Sequence, residues 1–269
     1  MRSERSSARS SGSSLSPAEK SRGRRVPPPV GVVRDGPVVT LRLSLASGRL
    51  GEDAHAALVA ACREVDLDED VQLVVVRSRG AAFCLGDEPG VCVEGPDGIE
   101  AIAALRAPCL AVLQGDARDA GLELAMACDL RLAAAHVRVG LGQVTAGVLP
   151  FHGGTQRLPR IVGEARAFRM LLVGETIGAR EATEIGLLNR AVPRAALERE
   201  ARRLVTILSS RAPVAQRLAK ETIRAAADLP LAEGLRLEGD LYVLLQTTRD
   251  RGEGIASFRE RRRPRFVGR

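Results

Sequence analysis

Two short stretches hold residue types that could do chemistry. LQGDARDAGLELAMACD (113–129) leads a small-residue turn into a helical pattern with one carboxylate, Glu123, among apolar side chains. GLGQVTAGVLPFHGGTQRL (140–158) offers an amide, Gln143, and an imidazole, His152. A positioned carboxylate can take and return a proton, whereas an amide can hold a water but exchanges no proton at neutral pH. An imidazole ordinarily titrates near pH 6–7, which makes His152 a further candidate acid, set against a plain reading as a helix-start residue facing solvent or a neighbouring subunit. The turn before Glu123 and the turn RGAAFCLGDEPG (79–90) each follow an apolar run and expose backbone N–H groups. A helix starting near Ala120 or Gly121 adds the partial positive charge of its N-terminus. Two such donors aimed at one point make an oxyanion hole.

The elements that must position these residues can be read from pattern. VGVVRDGPVVTLRLS (30–44) is two β-rich runs around Asp35-Gly36, a hairpin signal. EDAHAALVAACREV and IEAIAALRA have helical spacing, while VQLVVVRS, PCLAVLQG and LRLAAA read as buried strands. Alternation of this kind implies a largely parallel sheet covered by helices. Beyond about Ile161 the strand signal thins to LLNRAVP, and EARAFRMLLVG, AREATEIG, ALEREARRLVTILSS, VAQRLAKETIRAAADL and LAEGLRLEGDLYVLLQTT are helical. The expected organisation is a basic Ser/Arg/Pro-rich arm over residues 1–29, too polar to bury a core, an α/β core over 30–195 and a helical region over 196–269. An organellar transit peptide is the rival reading of the arm, ranked lower for want of an apolar helical stripe. No internal repeat is apparent in the sequence.

The formal charge of +7 invites a nucleic-acid reading, but its location argues against one. Residues 1–29 carry seven Lys/Arg against two Glu, and residues 259–269 six Arg against one Glu. Each end is thus +5, and the remaining middle, +7 less those two, is −3, which leaves no broad basic face on the body. Aromatic residues for stacking on bases are also scarce, at 2%. The five cysteines form no CxxC and no Cys/His cluster, so buried thiols are expected rather than a metal site or a disulfide set. No apolar run approaches membrane-spanning length and no secretory signal is present, which predicts a soluble, cytoplasmic protein.

Five collinear segments, VVVRSRGAAFCLGDE, APCLAVLQGDARDAGLELAMACDLRLAA, GLGQVTAGVLPFHGGTQRLPRIVG, LLVGETIGAREATEIGLLNRAVP and TTRDRGEGIASFRERRRPRF, together resemble the enoyl-CoA hydratase/isomerase (crotonase) superfamily. The resemblance implies an α/β crotonase-like spiral of ββα units with a helical C-terminal region, assembled as a homotrimer or hexamer. It implies an acyl-CoA thioester as substrate, with coenzyme A part of that substrate and no permanently bound cofactor or metal. By motif, the oxyanion amides come from Asp87 and Ala120, and the backbone of Ala82, Cys84 and Leu85 meets the adenine end of coenzyme A.

The family's hydratases use two glutamates. The first is matched by Glu123 in GLELA; the second position holds Gln143, in LGQ. The family's glycine-rich turn is DAG here, preceded by Arg118, so Asp119 is a further candidate, its alternative being a surface ion pair or cap. Asp87 replaces a usual small residue, and 88–107 is shorter than the family's helical excursion, which should reshape one pocket wall. Arg157 and Arg160 are read as part of a capped helix start, and Arg261, Arg262 and Arg263 as a solvated tail that could meet coenzyme A phosphates. His55 and His136 have no constellation around them in sequence and receive no role. The reading is enoyl-CoA hydratase-type chemistry, with isomerase, decarboxylase, thioester hydrolase or a non-catalytic CoA/RNA-binding role as alternatives on the same scaffold.

Overall fold

A computed structural model describes residues 27–91, 94–95 and 97–269. The basic arm lies outside the described residues apart from Pro27–Pro29, and so does Cys92. Strands β1 (Val30–Asp35) and β2 (Val38–Leu43) pair antiparallel across the Asp35-Gly36 turn, as the hairpin signal predicts. Four parallel strands extend that sheet: β3 (Leu73–Ser78), β4 (Cys109–Leu113), β6 (Leu130–Ala134) and β9 (Arg190–Val192). Every residue of β4 is buried, which is why its sequence is continuously apolar rather than alternating.

The apolar runs alone do not reveal the second, smaller sheet. It joins β5 (Ala117–Arg118), β7 (Arg138–Gly140) and β8 (Thr176–Gly178) in the order β5-β7-β8, and two isolated bridges, Leu50 to Asp87 and Cys84 to Ala117, continue it. Each turn of the chain therefore lays one strand in the large sheet, a short one in the small sheet, and then a helix. The helices closing successive turns are α1 (Glu52–Leu67), α2 (Gly98–Ala104), α3 (Ala120–Ala127) and α4 (Gly154–Val162). This is the expected spiral of ββα units. Its repeat escapes sequence inspection because small-sheet segments of one to three residues carry no periodicity.

The spiral gathers the loops that follow each small-sheet segment. Phe83 N and Cys84 N both donate to Asp116 O, at 2.9 and 3.3 Å, and Arg118 N donates to Cys84 O at 2.9 Å. Asp119 N donates to Gly140 O at 2.9 Å. The 83–87, 117–121 and 140–142 segments thus lie side by side. The approach requires Gly121, where a Cβ would stand 2.0 Å from Cys84 O.

The later chain is helical as predicted: α5 (Glu164–Leu172), α6 (Ala179–Glu184), α7 (Arg194–Ser209), α8 (Pro213–Ala225), α9 (Leu231–Gln246) and α10 (Arg249–Arg259). Helix α7 spans the expected 195/196 boundary and packs on β3, β6 and β9 with Leu197 and Ala201 buried, so the helical region proper begins with α8. No helix among the described residues is long and apolar enough to cross a membrane.

Candidate active site

Glu123 stands on α3, all eight residues of which are buried, and it has no solvent exposure. Its Oε1 accepts the Gly154 N–H at 2.7 Å and its Oε2 accepts Gln143 Nε2 at 3.0 Å. Gly154 is required there, because a Cβ would lie 2.8 Å from Oε1 and 2.9 Å from Pro150 Cβ. Burial raises the pKa of Glu123, opposed by the Gly154 N–H and by the charge on His152. The structure therefore brings Glu123 and Gln143 into direct contact. The far end of that amide is the informative one: Gln143 Oε1 is buried and has no hydrogen-bond partner among the described residues. Leaving a buried acceptor unmet costs about 1–3 kcal/mol, so the oxygen is suited to a donor such as a water or a substrate hydroxyl.

Behind this pair lies a network invisible in the sequence. His152 is buried, not solvent-facing, and its Nε2 contacts Asp87 Oδ2 at 3.1 Å. Its Nδ1 lies 3.0 Å from Asp97 Oδ2, within ion-pair distance but off the line of the ring N–H, so that contact is electrostatic rather than an aligned hydrogen bond. The other Asp87 oxygen contacts His55 Nε2 at 3.1 Å. His55 Nδ1 accepts the Gly98 N–H at 3.2 Å, which places the ring proton on Nε2, and the two imidazoles stack with centroids 5.0 Å apart. Burial works against a charge on His152, but Asp87 and Asp97 outweigh it and hold its pKa up at about 10. Burial likewise opposes ionisation of both carboxyls, yet His152 leads the groups that pull them down, Asp97 to about 2 and Asp87 below its ordinary value. The array is Asp–imidazolium–Asp with His55 stacked at its flank.

His55, Asp97 and His152 also offer donor atoms within 4.8 Å of one another, the spacing of metal ligands. Their existing partners suit a proton network instead. Asp97 Oδ1 caps α2, accepting from Ile99 N at 2.8 Å and Glu100 N at 3.0 Å. A cation would therefore face inward-pointing N–H groups and the positive end of a helix.

Leu50 N donates to Gly86 O at 2.9 Å and Glu88 N to Leu50 O at 2.8 Å, so the Asp87 N–H between them points the other way. Neither that N–H nor the Ala120 N–H, at the first position of α3, has an acceptor among the described residues. Asp119 is neither an ion pair nor a side-chain cap. It has a positive φ of 51°, a conformation that suits the family's glycine, and its Oδ1 accepts the Gly142 N–H at 2.7 Å, tying the α3 turn to the Gln143 loop.

Of the three residues expected to meet the adenine, Cys84 is fully buried, with N–H and C=O engaged by Asp116 and Arg118 and its thiol pushed up to about 12 by burial. Ala82 and Leu85 are half-buried on the same loop, although Leu85 N is engaged by Gly48 O. Arg157 reaches His152 O at 2.6 Å and Glu100, a structural role, and the helix start it follows is capped by no side chain. Arg262 is engaged by Glu253 and Glu260.

Comparison with known proteins places the geometry. The Enoyl-CoA hydratase/isomerase family profile matches residues 48–269. This chain belongs to the enoyl-CoA hydratase/isomerase family. It is 39% identical over 241 residues to human enoyl-CoA hydratase domain-containing protein 2, mitochondrial, covering 83% of this chain and 82% of that one. It is 32% identical over 242 residues to the 2,3-dehydroadipyl-CoA hydratase of Escherichia coli, covering 86% and 95%. The crystal structure of an enoyl-CoA hydratase from Bacillus anthracis superposes with a TM-score of 0.81 at 30% identity, covering 90% of this chain and all of the other. The fold is accordingly the crotonase fold of enoyl-CoA hydratases. Within that family setting, His55 and Asp97 are the residues that sequence reading missed. A lone histidine beside the apolar face of α1 and an Asp preceding a helix each have an adequate local explanation.

Proposed function

We propose that this protein catalyses the reversible addition of water to the α,β double bond of an acyl-CoA thioester. The observation that carries this reading is the Glu123–Gln143 pair, with its unmet carbonyl oxygen. A water donating to Gln143 Oε1 sits beside the Glu123 carboxyl, which exchanges the proton at the substrate α carbon. The Asp87 and Ala120 amides receive the thioester oxygen as charge develops on it. One such donor is worth about 10²–10³-fold in rate, and a positioned acid/base group about 10²–10⁴-fold. Coenzyme A enters as part of the substrate, along the Ala82–Leu85 loop.

The test is turnover of a short trans-2-enoyl-CoA by the protein and its Glu123→Gln variant, followed by loss of the conjugated thioester absorbance. A fall of at least a hundredfold in the variant is expected. Absence of turnover in both, with the CoA ester still bound, would transfer the site to another reaction that draws on the oxyanion-binding amides, such as isomerisation, decarboxylation or thioester hydrolysis.

The same reading includes self-assembly. Helix α9 buries none of its residues and exposes Leu231, Leu235, Tyr242, Val243 and Leu244. An exposed apolar helix of that kind suits a subunit interface. Sedimentation should give a homotrimer or hexamer.

A further inference from the structure

Hydration needs two proton transfers, one from the attacking water and one to the α carbon, and Gln143 can perform neither. We propose that the Asp87 carboxylate, held between His55 and His152, is the second proton-transfer group of this site and takes the proton of the water that Gln143 orients. The inference rests on the hydratase reading above.

Three observations carry it. Asp87 supplies one of the two unengaged loop amides, so its side chain is one residue's reach from the point where the thioester carbonyl is held. The two carboxylates are also fixed by one segment, since His152 Nε2 meets Asp87 Oδ2 at 3.1 Å and, two residues on, Gly154 N meets Glu123 Oε1 at 2.7 Å. Access is the third: the side chains of His55 and His152 are 1% and 4% exposed, whereas that of Asp87 is 28% exposed. The imidazoles are therefore sealed behind the carboxylate, and Asp87 is the member of that trio a ligand can touch. Electrostatics agree with the assignment, because burial pushes Glu123 up while His152 and His55 more than offset burial at Asp87. Two carboxyls pushed apart in this way sort into an acid and a base.

The step balances. The water oxygen bonds to the β carbon as its proton passes to Asp87, and the π electrons move onto the thioester oxygen facing the two amides. Protonated Glu123 then delivers its proton to the α carbon as the enolate collapses to the thioester. Asp87 returns its proton through solvent water to Glu123, leaving net addition of one water.

The experiment separates the two proton transfers. Exchange of the α protons of butyryl-CoA with deuterium oxide needs Glu123 and the amides but no water attack; hydration needs Asp87 as well. Asp87→Asn should lose about 10²-fold in hydration, the lower end for a general base because its pKa is depressed, while exchange stays within about threefold of wild type. Retained exchange also shows that the variant is folded. Formate should restore part of the hydration lost in Asp87→Ala. The proposal is overturned if Asp87→Asn hydrates as fast as wild type, or if exchange and hydration fall together, in which case the side chain only shapes the oxyanion loop. A wild-type protein that exchanges the α proton yet hydrates nothing would instead overturn the hydratase reading, and this proposal with it.

Discussion

Replacing His152 with Leu should destabilise the protein in a strongly pH-dependent way. The imidazole goes from an ordinary 6.5 to about 10 in the folded state, and at about 1.4 kcal/mol per pH unit this corresponds to roughly 5 kcal/mol in favour of the folded, charged form. The ring is 4% exposed, so solvent screening takes little from this figure. The depressed pKa values of Asp97 and Asp87 are the same contacts viewed from the other partner and are not added. Breaking a buried pair by removing one member costs about 3–5 kcal/mol, in agreement.

Because the folded pKa is raised, the stabilisation is complete below pH 6.5 and is lost as pH rises through 10. On the acid side, Asp97 falls from 3.8 to about 2, so its share is present above pH 3.8 and lost as pH falls toward 2. The penalty for His152→Leu should therefore be about 3–5 kcal/mol at pH 6, about 3 kcal/mol at pH 8 and under about 1 kcal/mol at pH 10. Urea unfolding of both proteins at those three pH values and one protein concentration reads it directly. A penalty that does not change with pH would mean that His152 is neutral and serves only packing, and the Asp–imidazolium–Asp description would be wrong.

Other perturbations probe separate parts of the site. Gly121→Ala puts a Cβ 2.0 Å from Cys84 O and 2.8 Å from Cys84 Cβ; the amide loops must separate, at a cost of about 3 kcal/mol or more, seen as a lower thermal midpoint together with lost turnover. Gln143→Glu sets a second carboxylate against Glu123, where the amide now lies 3.0 Å away; repulsion should move the alkaline limb of the kcat/KM profile, which reports loss of the Glu123 proton, upward by about one pH unit, and an unmoved limb would show that the two side chains do not meet in solution. Asp250 is buried and its two oxygens accept the Val267 and Gly268 N–H groups at 2.7 and 2.9 Å. Asp250→Ala should expose the last residues to rapid tryptic cleavage while leaving turnover within about threefold.

What the sequence revealed of this site follows a physical rule. Elements that depend on their own local backbone were legible: the helix that carries Glu123 and the hairpin at Asp35-Gly36 both announce themselves within a few positions. The small sheet did not, because two-residue and three-residue strands such as β5 and β7 have no room for an alternating pattern. The histidine network was hidden for a related reason. Asp87 meets partners 32 and 65 positions away, on α1 and on the loop before α4, and it reaches them only once the small sheet has drawn the loops together. Two members had a sufficient local reading, His152 as a helix-start residue and Asp87 as a turn residue supplying an amide in place of a small residue, while Asp97 and His55 received no role. The assembled structure adds a cost that no local reading contains. Asp87 and Asp97 are partly buried carboxylates that desolvation alone would push toward neutrality, and the imidazolium between them reverses that outcome. The change from a small residue to Asp87 therefore makes sense only together with His55, His152 and Asp97. Replacing His152 with an apolar residue would take the imidazolium from both carboxylates, leaving Asp87 with His55 alone and Asp97 with its helix-capping contacts.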